Sequence, residues 1–461
     1  MTWPVAAVAD RTHELPEQAF LLVGLGVTNA AVARALVARG RHVVLVDDAA
    51  PESAHALATE LGVELHAAPD REALDELIGS VDALVPAPGL PGTHPVFALA
   101  VAAGLPVLSE FDLAAAWDDR PLVAVTGTNG KTTVTMLVRA MLDASGVDCA
   151  AAGNLEVPLV AAIDDPEPAC FAVEASSFRL GHSRWFRPAV AVWLNFAPDH
   201  LDVHLDLEEY RAAKARICAD QTIGDVAVLN ADDAVVLAAA PSGPAAPQVV
   251  CFAGPGSDTA GFTERDGVLV APDGLAILEV GELPRSLPHD RTNALAAAAA
   301  ALAAGATLEG VRAALRDTVA LPHRVELVGE RDGVRWIDDS KATAPHATLA
   351  ALQGFESVVL VAGGRNKGLD LTALAEAGDR VRAVVGIGEA AGQVVEAFPG
   401  RPSATADSMS TAVLAARSLA EPGDVVLLSP GCASFDWYSS YAERGDDFAA
   451  RVRDLVLEAA S

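Results

Sequence analysis

The stretch Pro121-Leu-Val-Ala-Val-Thr-Gly-Thr-Asn-Gly-Lys-Thr-Thr133 carries the pattern from which the rest of the sequence is interpreted. An apolar run leads into a glycine turn, and a helical segment continues to about Ala144. A buried strand, a glycine-rich turn and a helix in this order are typical of a phosphate-binding loop in an α/β domain. The stretch therefore predicts an α/β nucleotide-binding domain.

The turn contains the groups that a bound nucleoside triphosphate needs. Backbone N–H groups can hold phosphate oxygens, Lys131 can neutralise the β- and γ-phosphates, and the Thr132 hydroxyl can bind Mg²⁺. The first glycine of the general motif would fall at Val125, so that motif is incomplete. We expect ATP binding, and the alternative is a glycine turn with an exposed lysine.

A similar unit precedes this one in the sequence. The apolar run Phe20-Leu-Leu-Val-Gly-Leu-Gly26 is followed by a helical segment, Asn29 to Arg39, and by the strand Arg41 to Asp47. This order resembles a dinucleotide fingerprint, but Asn29 stands where a third glycine is usual. NAD, another nucleotide and a simple tight turn all remain open here. Two more strands are predicted, Ala83–Val85 and Pro106–Leu108.

A third set of strands follows Leu321 and consists of Val358–Ala362, Ala383–Ile387 and Val425–Leu428. Continuous apolar runs separated by helices are typical of parallel strands that are buried on both faces. We therefore predict an α/β protein with a Rossmann-like N-terminal domain, a central domain resembling P-loop ATPases with a mostly parallel sheet, and a Rossmann-like C-terminal domain. The predicted boundaries are 1–115, 116–320 and 321–461, with a surface loop at Ala238–Ala246.

Charge and composition argue against several functions. The 32 Lys and Arg residues against 62 Asp and Glu residues give a net charge of −30, which disfavours binding to nucleic acid or to an anionic membrane. The longest apolar run, Ala294–Ala304, is too short to span a membrane, and Met1-Thr-Trp-Pro4 does not resemble a signal peptide. The five cysteines are scattered, so neither a disulfide framework nor a zinc site is expected. We expect a cytoplasmic protein.

Acidic and basic side chains follow several predicted strands, at the edge where ligands of parallel sheets bind. Glu174 follows Cys170–Val173 and His200 follows Ala191–Phe196, so both are candidates for sharing Mg²⁺ with the nucleotide. The alternative is that Asp199 caps a helix beside an ordinary histidine. Lys214 lies in a predicted helix, Leu207–Ala219, where a solvated face is the usual interpretation. Strand-end loops of the last domain carry Lys341, Arg365, Lys367 and Ser434, a set suited to a substrate carboxylate.

Five stretches together carry a family resemblance. They are Thr126-Gly-Thr-Asn-Gly-Lys-Thr-Thr133, Tyr210-Arg-Ala-Ala-Lys-Ala-Arg-Ile217, Leu321-Pro-His-Arg-Val-Glu326, Asp339-Ser-Lys-Ala-Thr343 and Leu428-Ser-Pro-Gly-Cys-Ala-Ser-Phe-Asp-Trp-Tyr-Ser-Ser-Tyr-Ala-Glu-Arg-Gly445. With them the sequence resembles the Mur ligase family of peptidoglycan synthesis, from Gly24 to about Phe448. The first stretch is shared with folylpolyglutamate ligases, and the last ones are similar to the members that add D-glutamate.

The resemblance implies an ATP-dependent amide ligase. Its first domain would hold a UDP-sugar, in the turn Gly24–Thr28 that otherwise suggests NAD, its central domain ATP and Mg²⁺, and its third domain the amino acid. The implied substrates are UDP-N-acetylmuramoyl-L-alanine and D-glutamate. The γ-phosphate of ATP would pass to the substrate carboxylate, and the amine of glutamate would then displace phosphate.

The resemblance also implies residue roles. Catalysis would use Lys131, Glu174, His200 and Lys214. Two Mg²⁺ ions would be held by Thr132, Glu174, His200 and Lys214, the last as a carbamate. ATP would contact Gly127, Thr128, Asn129, Gly130, Lys131, Thr132, Thr133, Asn293, Arg324 and Asp339. The UDP-sugar would contact Gly26, Val27, Thr28, Asp47, Gly89 and Asn154, and D-glutamate would contact Lys341, Thr343, Lys367, Ser434, Phe435 and Tyr441.

The sequence departs from the family pattern at a few positions. Asp290 stands where an asparagine often faces adenine, Asp48 and Ala49 replace a Thr-Arg pair, and Ala344 replaces an asparagine. A sister ligase, an NAD-dependent oxidoreductase and a non-catalytic regulatory relative are the alternative functions. The residues do not distinguish D- from L-glutamate. We expect a monomer.

Overall fold

The structure is a computed structural model that describes residues 15, 18–319 and 321–457. These residues form two compact units. The first takes in the described residues of Met1–Phe196, Asp202–Leu283 and Thr292–Asp317, and the second takes in those of Ala197–Leu201, Pro284–Arg291 and Thr318–Ser461.

The N-terminal part of the first unit is a parallel sheet in the order β3-β2-β1-β4. Its strands are β1 Ala19–Val23, β2 His42–Asp47, β3 Leu65–Ala67 and β4 Ala83–Pro86. Its helices are α1 Val27–Ala38, α2 Glu52–Leu61, α3 Arg71–Gly79, α4 Pro95–Ala103 and α5 Glu110–Trp117. The predicted strand Pro106–Leu108 contributes only an isolated bridge between Leu84 and Val107, and β3 was not predicted.

The central part of the first unit is a second parallel sheet in the order β10-β9-β8-β5-β7-β6. Its strands are β5 Leu122–Thr126, β6 Cys149–Gly153, β7 Cys170–Glu174, β8 Val190–Trp193, β9 Val226–Asn230 and β10 Gln248–Phe252. A small antiparallel sheet, absent from the sequence-based prediction, follows as β11 Thr263–Arg265, β12 Val268–Val270 and β13 Ala276–Glu279.

The helices of this part are α6 Lys131–Ala144, α7 Leu159–Ala162, α8 Ser177–Leu180, α9 Leu207–Ala215, α10 Ala234–Ala238, α11 Pro288–Ala303 and α12 Leu308–Arg316, with 3₁₀ turns at Arg216–Cys218 and Val280–Glu282. The first four residues of α11 are assigned to the second unit. The predicted helix Leu207–Ala219 is thus an α-helix that tightens into a 3₁₀ turn. The loop prediction at Ala238–Ala246 is confirmed beyond the last residue of α10.

The second unit contains a sheet in the order β14-β15-β19-β16-β17-β18, parallel except for the β14–β15 pair. Its strands are β14 Glu326–Arg331, β15 Val334–Asp338, β16 Val358–Gly363, β17 Val381–Ile387, β18 Ser403–Ala406 and β19 Val425–Leu428. Its helices are α13 Pro345–Leu352, α14 Ala391–Glu396, α15 Met409–Leu419 and α16 Tyr441–Leu457, with a 3₁₀ segment at Leu371–Arg380.

The predicted fold class is confirmed: parallel sheets flanked by helices recur along the chain. The boundaries at 115 and 320 stay predictions. In the described part of the chain no helix is both long and apolar enough to span a bilayer. All five cysteines are free thiols, as expected.

Helix α11 shows how alanine shapes the central core. Its residues 294–301 are at most 2 % exposed and pack with Val134, Val138 and Met141 of α6. These side chains lie inside the central hydrophobic core, and close-packed interiors have no room for added methylenes.

Enlarging one of these alanines should therefore destabilise the protein. We expect Ala298→Leu to lower the free energy of unfolding by about 1–3 kcal/mol, because overpacking forces side chains and backbone to shift. Denaturant unfolding followed by circular dichroism measures this. Ala56→Leu, at an exposed position of α2, is the matched control and should change stability little. Equal stability of the two variants would contradict tight packing around α11.

Candidate active site

The phosphate-binding loop runs from the end of β5 to the start of α6 and depends on two glycines. Gly127 has φ +153° and Gly130 has φ +83°, values that residues with a Cβ rarely adopt. A Cβ on Gly130 would lie 2.6 Å from Oδ1 of Asn293. The predicted ATP-binding residue Asn293 therefore sits directly against the loop, although it is far away in sequence.

The backbone of the loop is held by an asparagine that the sequence analysis did not single out. Asn195, just after β8, accepts a hydrogen bond at Oδ1 from the Asn129 N–H (2.8 Å), and its carbonyl accepts one from the Thr128 N–H (3.1 Å). Its position directly after a strand was the signal that could have found it. Asn195 thus fixes the loop from the neighbouring strand.

Lys131 begins α6 and folds back over the loop. Its Nζ donates to the carbonyl oxygens of Gly127 and Thr128, both at 2.9 Å. This places the ammonium group at the turn where the sequence predicted the phosphate lysine. The lysine is half-buried rather than exposed.

Lys214 of α9 contacts the same turn. Its Nζ donates to the Gly127 carbonyl oxygen at 2.7 Å and lies 4.5 Å from the ring centroid of Tyr210. Lys214 is 1 % exposed, so its interpretation as part of a solvated helix face is wrong. The helix turns this side chain toward the phosphate loop, which local sequence could not reveal.

Glu174 ends β7 and offers a carboxylate oxygen suited to a metal ion. Its Oε1 accepts a hydrogen bond from Nδ2 of Asn154 at 2.9 Å. Its Oε2 is buried and has no hydrogen-bond partner among the described residues. Buried polar atoms are normally paired, and carboxylate oxygens are preferred ligands of Mg²⁺. Glu174 therefore fits the predicted metal role.

His200 lies in the segment Ala197–Leu201, which belongs to the second compact unit. It adopts a left-handed conformation with φ +56°, and its N–H donates to Asp199 Oδ1 at 2.8 Å. The alternative that Asp199 caps a helix is wrong, since Asp206 caps α9 by accepting from the Glu209 N–H at 2.8 Å.

Two polar residues, Asp47 and Asn29, stabilise the N-terminal glycine turn. Asp47 accepts from the Leu25 N–H at 2.7 Å through Oδ2, so its carboxylate organises the turn itself. Asn29 donates from Nδ2 to the carbonyl oxygens of Gly24 (2.9 Å) and Val85 (3.1 Å), which explains an asparagine where a third glycine is usual. The other predicted UDP-sugar residues of this part are Gly26 and Val27, both exposed, Thr28, which is buried, and Gly89, with φ +84°.

In the second unit, three adjacent strands bring the predicted amino-acid site together. Strand β19 pairs with both β15 and β16, and Leu428 is in register with Asp338 and Val361. The loops after these strands therefore leave the same edge of the sheet. They carry the predicted residues Lys341, Thr343, Lys367, Ser434 and Phe435. Tyr441 joins them, since Nζ of Lys341 lies 3.8 Å from its ring centroid.

Arg444 forms hydrogen bonds with two of these loops. The sequence analysis did not single it out. It is 1 % exposed and donates to Ser340 Oγ (2.9 Å), the Ser340 carbonyl (2.8 Å) and the Cys432 carbonyl (3.1 Å). Burial lowers the pKa of Arg444 to about 10. It lies within the quoted stretch that ends at Gly445, which was the available signal.

The residues of the second unit that were predicted to contact the nucleotide form hydrogen bonds within that unit. Asp339 accepts from Ser429 Oγ at 2.7 Å, and burial raises its pKa to about 7. The Arg324 carbonyl accepts from Arg285 at 2.5 Å. Asp290, a departure from the family pattern, pairs with Arg285 at 2.6 Å, so its carboxylate is committed to that arginine.

With this geometry established, comparison with known proteins identifies the class. Sequence models of the MurD-like N-terminal domain, the Mur ligase middle domain and the Mur ligase glutamate ligase domain match residues 18–109, 125–301 and 323–432. The chain belongs to the Mur ligase family. It is an ATP-dependent ligase that forms amide bonds, rather than an oxidoreductase.

Relatives within the family extend over nearly the whole chain. Proteins named UDP-N-acetylmuramoylalanine–D-glutamate ligase from Desulfosudis oleivorans and Frankia casuarinae are 41% and 44% identical to it. The alignments cover 96% and 94% of this chain and 97% and 93% of those relatives.

Solved structures support the fold. UDP-N-acetylmuramate-alanine ligase MurC from Thermotoga maritima has a TM-score of 0.58 at 19% identity and covers 94% of this chain and 99% of its own. MurF from Acinetobacter baumannii has the same TM-score and identity, with coverages of 96% and 92%.

The raised pKa of Asp339 predicts a pH-dependent stability. The folded state holds a proton up to about pH 7, whereas an unfolded aspartate releases it near 3.8. Between these values the unfolded state binds fewer protons, so stability falls as pH rises and is level above the folded pKa. We expect Asp339→Asn to flatten this slope between about pH 4 and about pH 7, because an amide does not ionise.

Thermal unfolding at a series of pH values measures the slope. Asp379→Asn changes an aspartate whose side chain is fully exposed and should leave the wild-type slope intact. An unchanged slope in Asp339→Asn would contradict the assignment.

Proposed function

We propose that the chain ligates D-glutamate to UDP-N-acetylmuramoyl-L-alanine with consumption of ATP, giving ADP and phosphate in peptidoglycan precursor synthesis. The observation that carries this proposal is the similarity to relatives named UDP-N-acetylmuramoylalanine–D-glutamate ligase. They are about 40 % identical to this chain over nearly its full length. The site supports it independently. Two lysines, one half-buried and one buried, contact the phosphate loop, and the strand-end loops of the second unit carry cations suited to a dicarboxylic amino acid.

The reaction takes place in two displacements. A carboxylate oxygen of the acceptor bonds to the γ-phosphorus while the bond to the β–γ bridging oxygen breaks, which releases ADP. The amine of D-glutamate then adds to the carbonyl carbon, the C–O bond to phosphate breaks and the amine loses a proton. Both steps depend on positioning and charge neutralisation more than on a strong nucleophile in the protein.

The residues of the phosphate loop serve the first step. Lys131 neutralises the β- and γ-phosphates, and backbone N–H groups at the start of α6, from Lys131 to Thr133, hold their oxygens. Mg²⁺, when bound, supplies further neutralisation of the phosphate charge. Thr132, Glu174, His200 and Lys214 would hold it, and two ions are proposed. The buried unpaired Oε2 of Glu174 supports this ligand set.

The remaining residues bind the nucleotide of ATP, the UDP-sugar and D-glutamate. Asn293, Arg324 and Asp339 contact the nucleotide of ATP. The UDP-sugar occupies the N-terminal glycine turn with Asp47, Gly89 and Asn154, and D-glutamate occupies the strand-end loops of the second unit. The predicted monomer and the cytoplasmic location stay predictions.

Replacing the phosphate lysine should abolish turnover. We expect Lys131→Ala to lower kcat by about 100-fold or more, because it removes a preorganised charge aimed at the transferring phosphate. Phosphate release is measured with ATP, Mg²⁺ and UDP-N-acetylmuramoyl-L-alanine, in the presence of D-glutamate, L-glutamate or neither. Arg34→Ala removes an exposed cation of α1 and should retain activity.

The same assay tests the substrates. Wild-type release that depends on D-glutamate supports the proposal, and release that is indifferent to both glutamate enantiomers would exclude it. A preference for L-glutamate would point to a sister ligase.

Carbamylation of Lys214 is proposed because an ammonium buried beside Lys131 is poorly suited to bind a cation, whereas a carbamate is an anionic oxygen ligand. We expect Lys214→Ala to be inactive and to regain part of its activity with millimolar acetate, which restores a carboxylate at the vacated position. Lys131→Ala is the matched control, since a carboxylate cannot replace its positive charge. Full activity of Lys214→Ala without acetate would refute the assignment.

A further inference from the structure

Arg179 lies between the N-terminal glycine turn and the metal-binding carboxylate and is absent from the family-derived roles. It belongs to α8, is 5 % exposed and uses every nitrogen of its guanidinium group. Nε donates to Glu110 Oε1 (2.5 Å), Nη1 to Asn154 Oδ1 (2.5 Å) and Nη2 to Thr28 Oγ1 (2.8 Å). These partners come from three separate stretches of the first unit.

The contact with Asn154 determines how that amide is oriented. Because Oδ1 accepts from Arg179, the NH₂ end is directed to Glu174, whose Oε1 accepts at 2.9 Å. The backbone N–H of Asn154 also donates to the Glu174 carbonyl at 2.8 Å. With Oε1 engaged, it is Oε2 of Glu174 that is left buried and unpaired among the described residues. Arg179 therefore selects which oxygen of Glu174 is available to a cation.

The contact with Thr28 acts on the other site. A hydroxyl that accepts from a guanidinium N–H keeps its own proton to donate. Thr28 lies in the first turn of α1, directly after the exposed residues Gly26 and Val27. Its hydroxyl is thus presented as a hydrogen-bond donor at the turn proposed to hold the anionic diphosphate of the acceptor.

The contact with Glu110 neutralises the guanidinium. Glu110 of α5 is 2 % exposed and pairs with Arg179 at 2.5 Å. The pair contributes little net charge to the site, so the role of Arg179 is geometric. Planar guanidinium geometry allows three directed hydrogen bonds at once, which an ammonium on a flexible stem does not reproduce.

We propose that Arg179 is a positioning residue shared by two sites: it aligns Asn154 and thereby Glu174 for a divalent cation, and it sets Thr28 as a donor for the nucleoside diphosphate of the acceptor. The proposal rests on the proposed function for the identity of these ligands. It assigns no contact of Arg179 with substrate.

The test removes the buried pair without leaving an unpaired charge. Replacing a buried ion pair with apolar residues of similar volume is often neutral for stability, whereas removing one partner is strongly destabilising. The double variant Arg179→Met/Glu110→Met should therefore fold, which thermal unfolding verifies. The matched control is Arg187→Met/Asp225→Met, which removes another ion pair of the central domain (2.7 Å).

Two binding measurements on the full chain test the proposed cation site and the proposed diphosphate site separately. Mn²⁺ binding in the presence of ADP is followed by electron paramagnetic resonance, and UDP binding is followed by calorimetry. We expect the double variant to bind Mn²⁺ about 10- to 100-fold more weakly, the usual effect of losing a residue that orients a metal ligand. UDP binding should weaken about 10-fold, because the Thr28 hydroxyl is no longer held as a directed donor. The control should retain both affinities.

Further variants make the outcome specific. Glu174→Gln should weaken Mn²⁺ binding while UDP binding is retained, and Arg179→Lys should not restore wild-type Mn²⁺ affinity although it keeps the charge. Wild-type affinities in the double variant would overturn the proposal, and so would the loss of only one of them. Neither readout requires ligation, so a wild-type protein that releases no phosphate with D-glutamate would overturn the proposed function and leave this test unaffected.

Discussion

Two ammonium groups converge on one carbonyl oxygen, that of Gly127, and the central site depends on this arrangement. Lys131 reaches it from α6 and Lys214 from α9, with hydrogen bonds of 2.9 and 2.7 Å. The backbone of the loop adopts φ +153° at Gly127, a value that residues with a Cβ rarely adopt. Like charges this close repel in a poorly solvated environment. An anion on one side and conversion of one amine to a carbamate on the other would each relieve that repulsion.

Much of the architecture could be predicted because parallel strands buried on both faces are continuous apolar runs. Strands such as β1, β5, β16 and β19 appear in the sequence as Val, Leu and Ala segments that end in glycine or a polar residue. The missed strands include the short edge strand β3 and the antiparallel strand β11, which lack a long apolar run because only part of each is buried. Strands β9 and β15 were also missed, although they lie inside their sheets and are largely buried.

The site was less predictable than the fold, for a physical reason. Glycine turns and strand-end acids are local features, so Lys131 and Glu174 could be named from sequence pattern alone. Three features depend on which helix face packs against which loop. They are the burial of Lys214, the hydrogen bonds from Asn195 to the phosphate loop, and the hydrogen bonds of Arg444 to two loops of the second unit. Only the packed structure determines that, and for Lys214 the family resemblance supplied what spacing could not.

The distribution of lysine has a practical consequence. The sequence contains four lysines, Lys131, Lys214, Lys341 and Lys367, and every one lies at a proposed ligand site, while arginine provides the other basic side chains. Amine-directed reagents can therefore modify side chains only in the places where ligands are proposed to bind. The difference in mass added to the intact protein with and without a ligand would count the lysines that the ligand protects, with no background from lysines elsewhere on the surface.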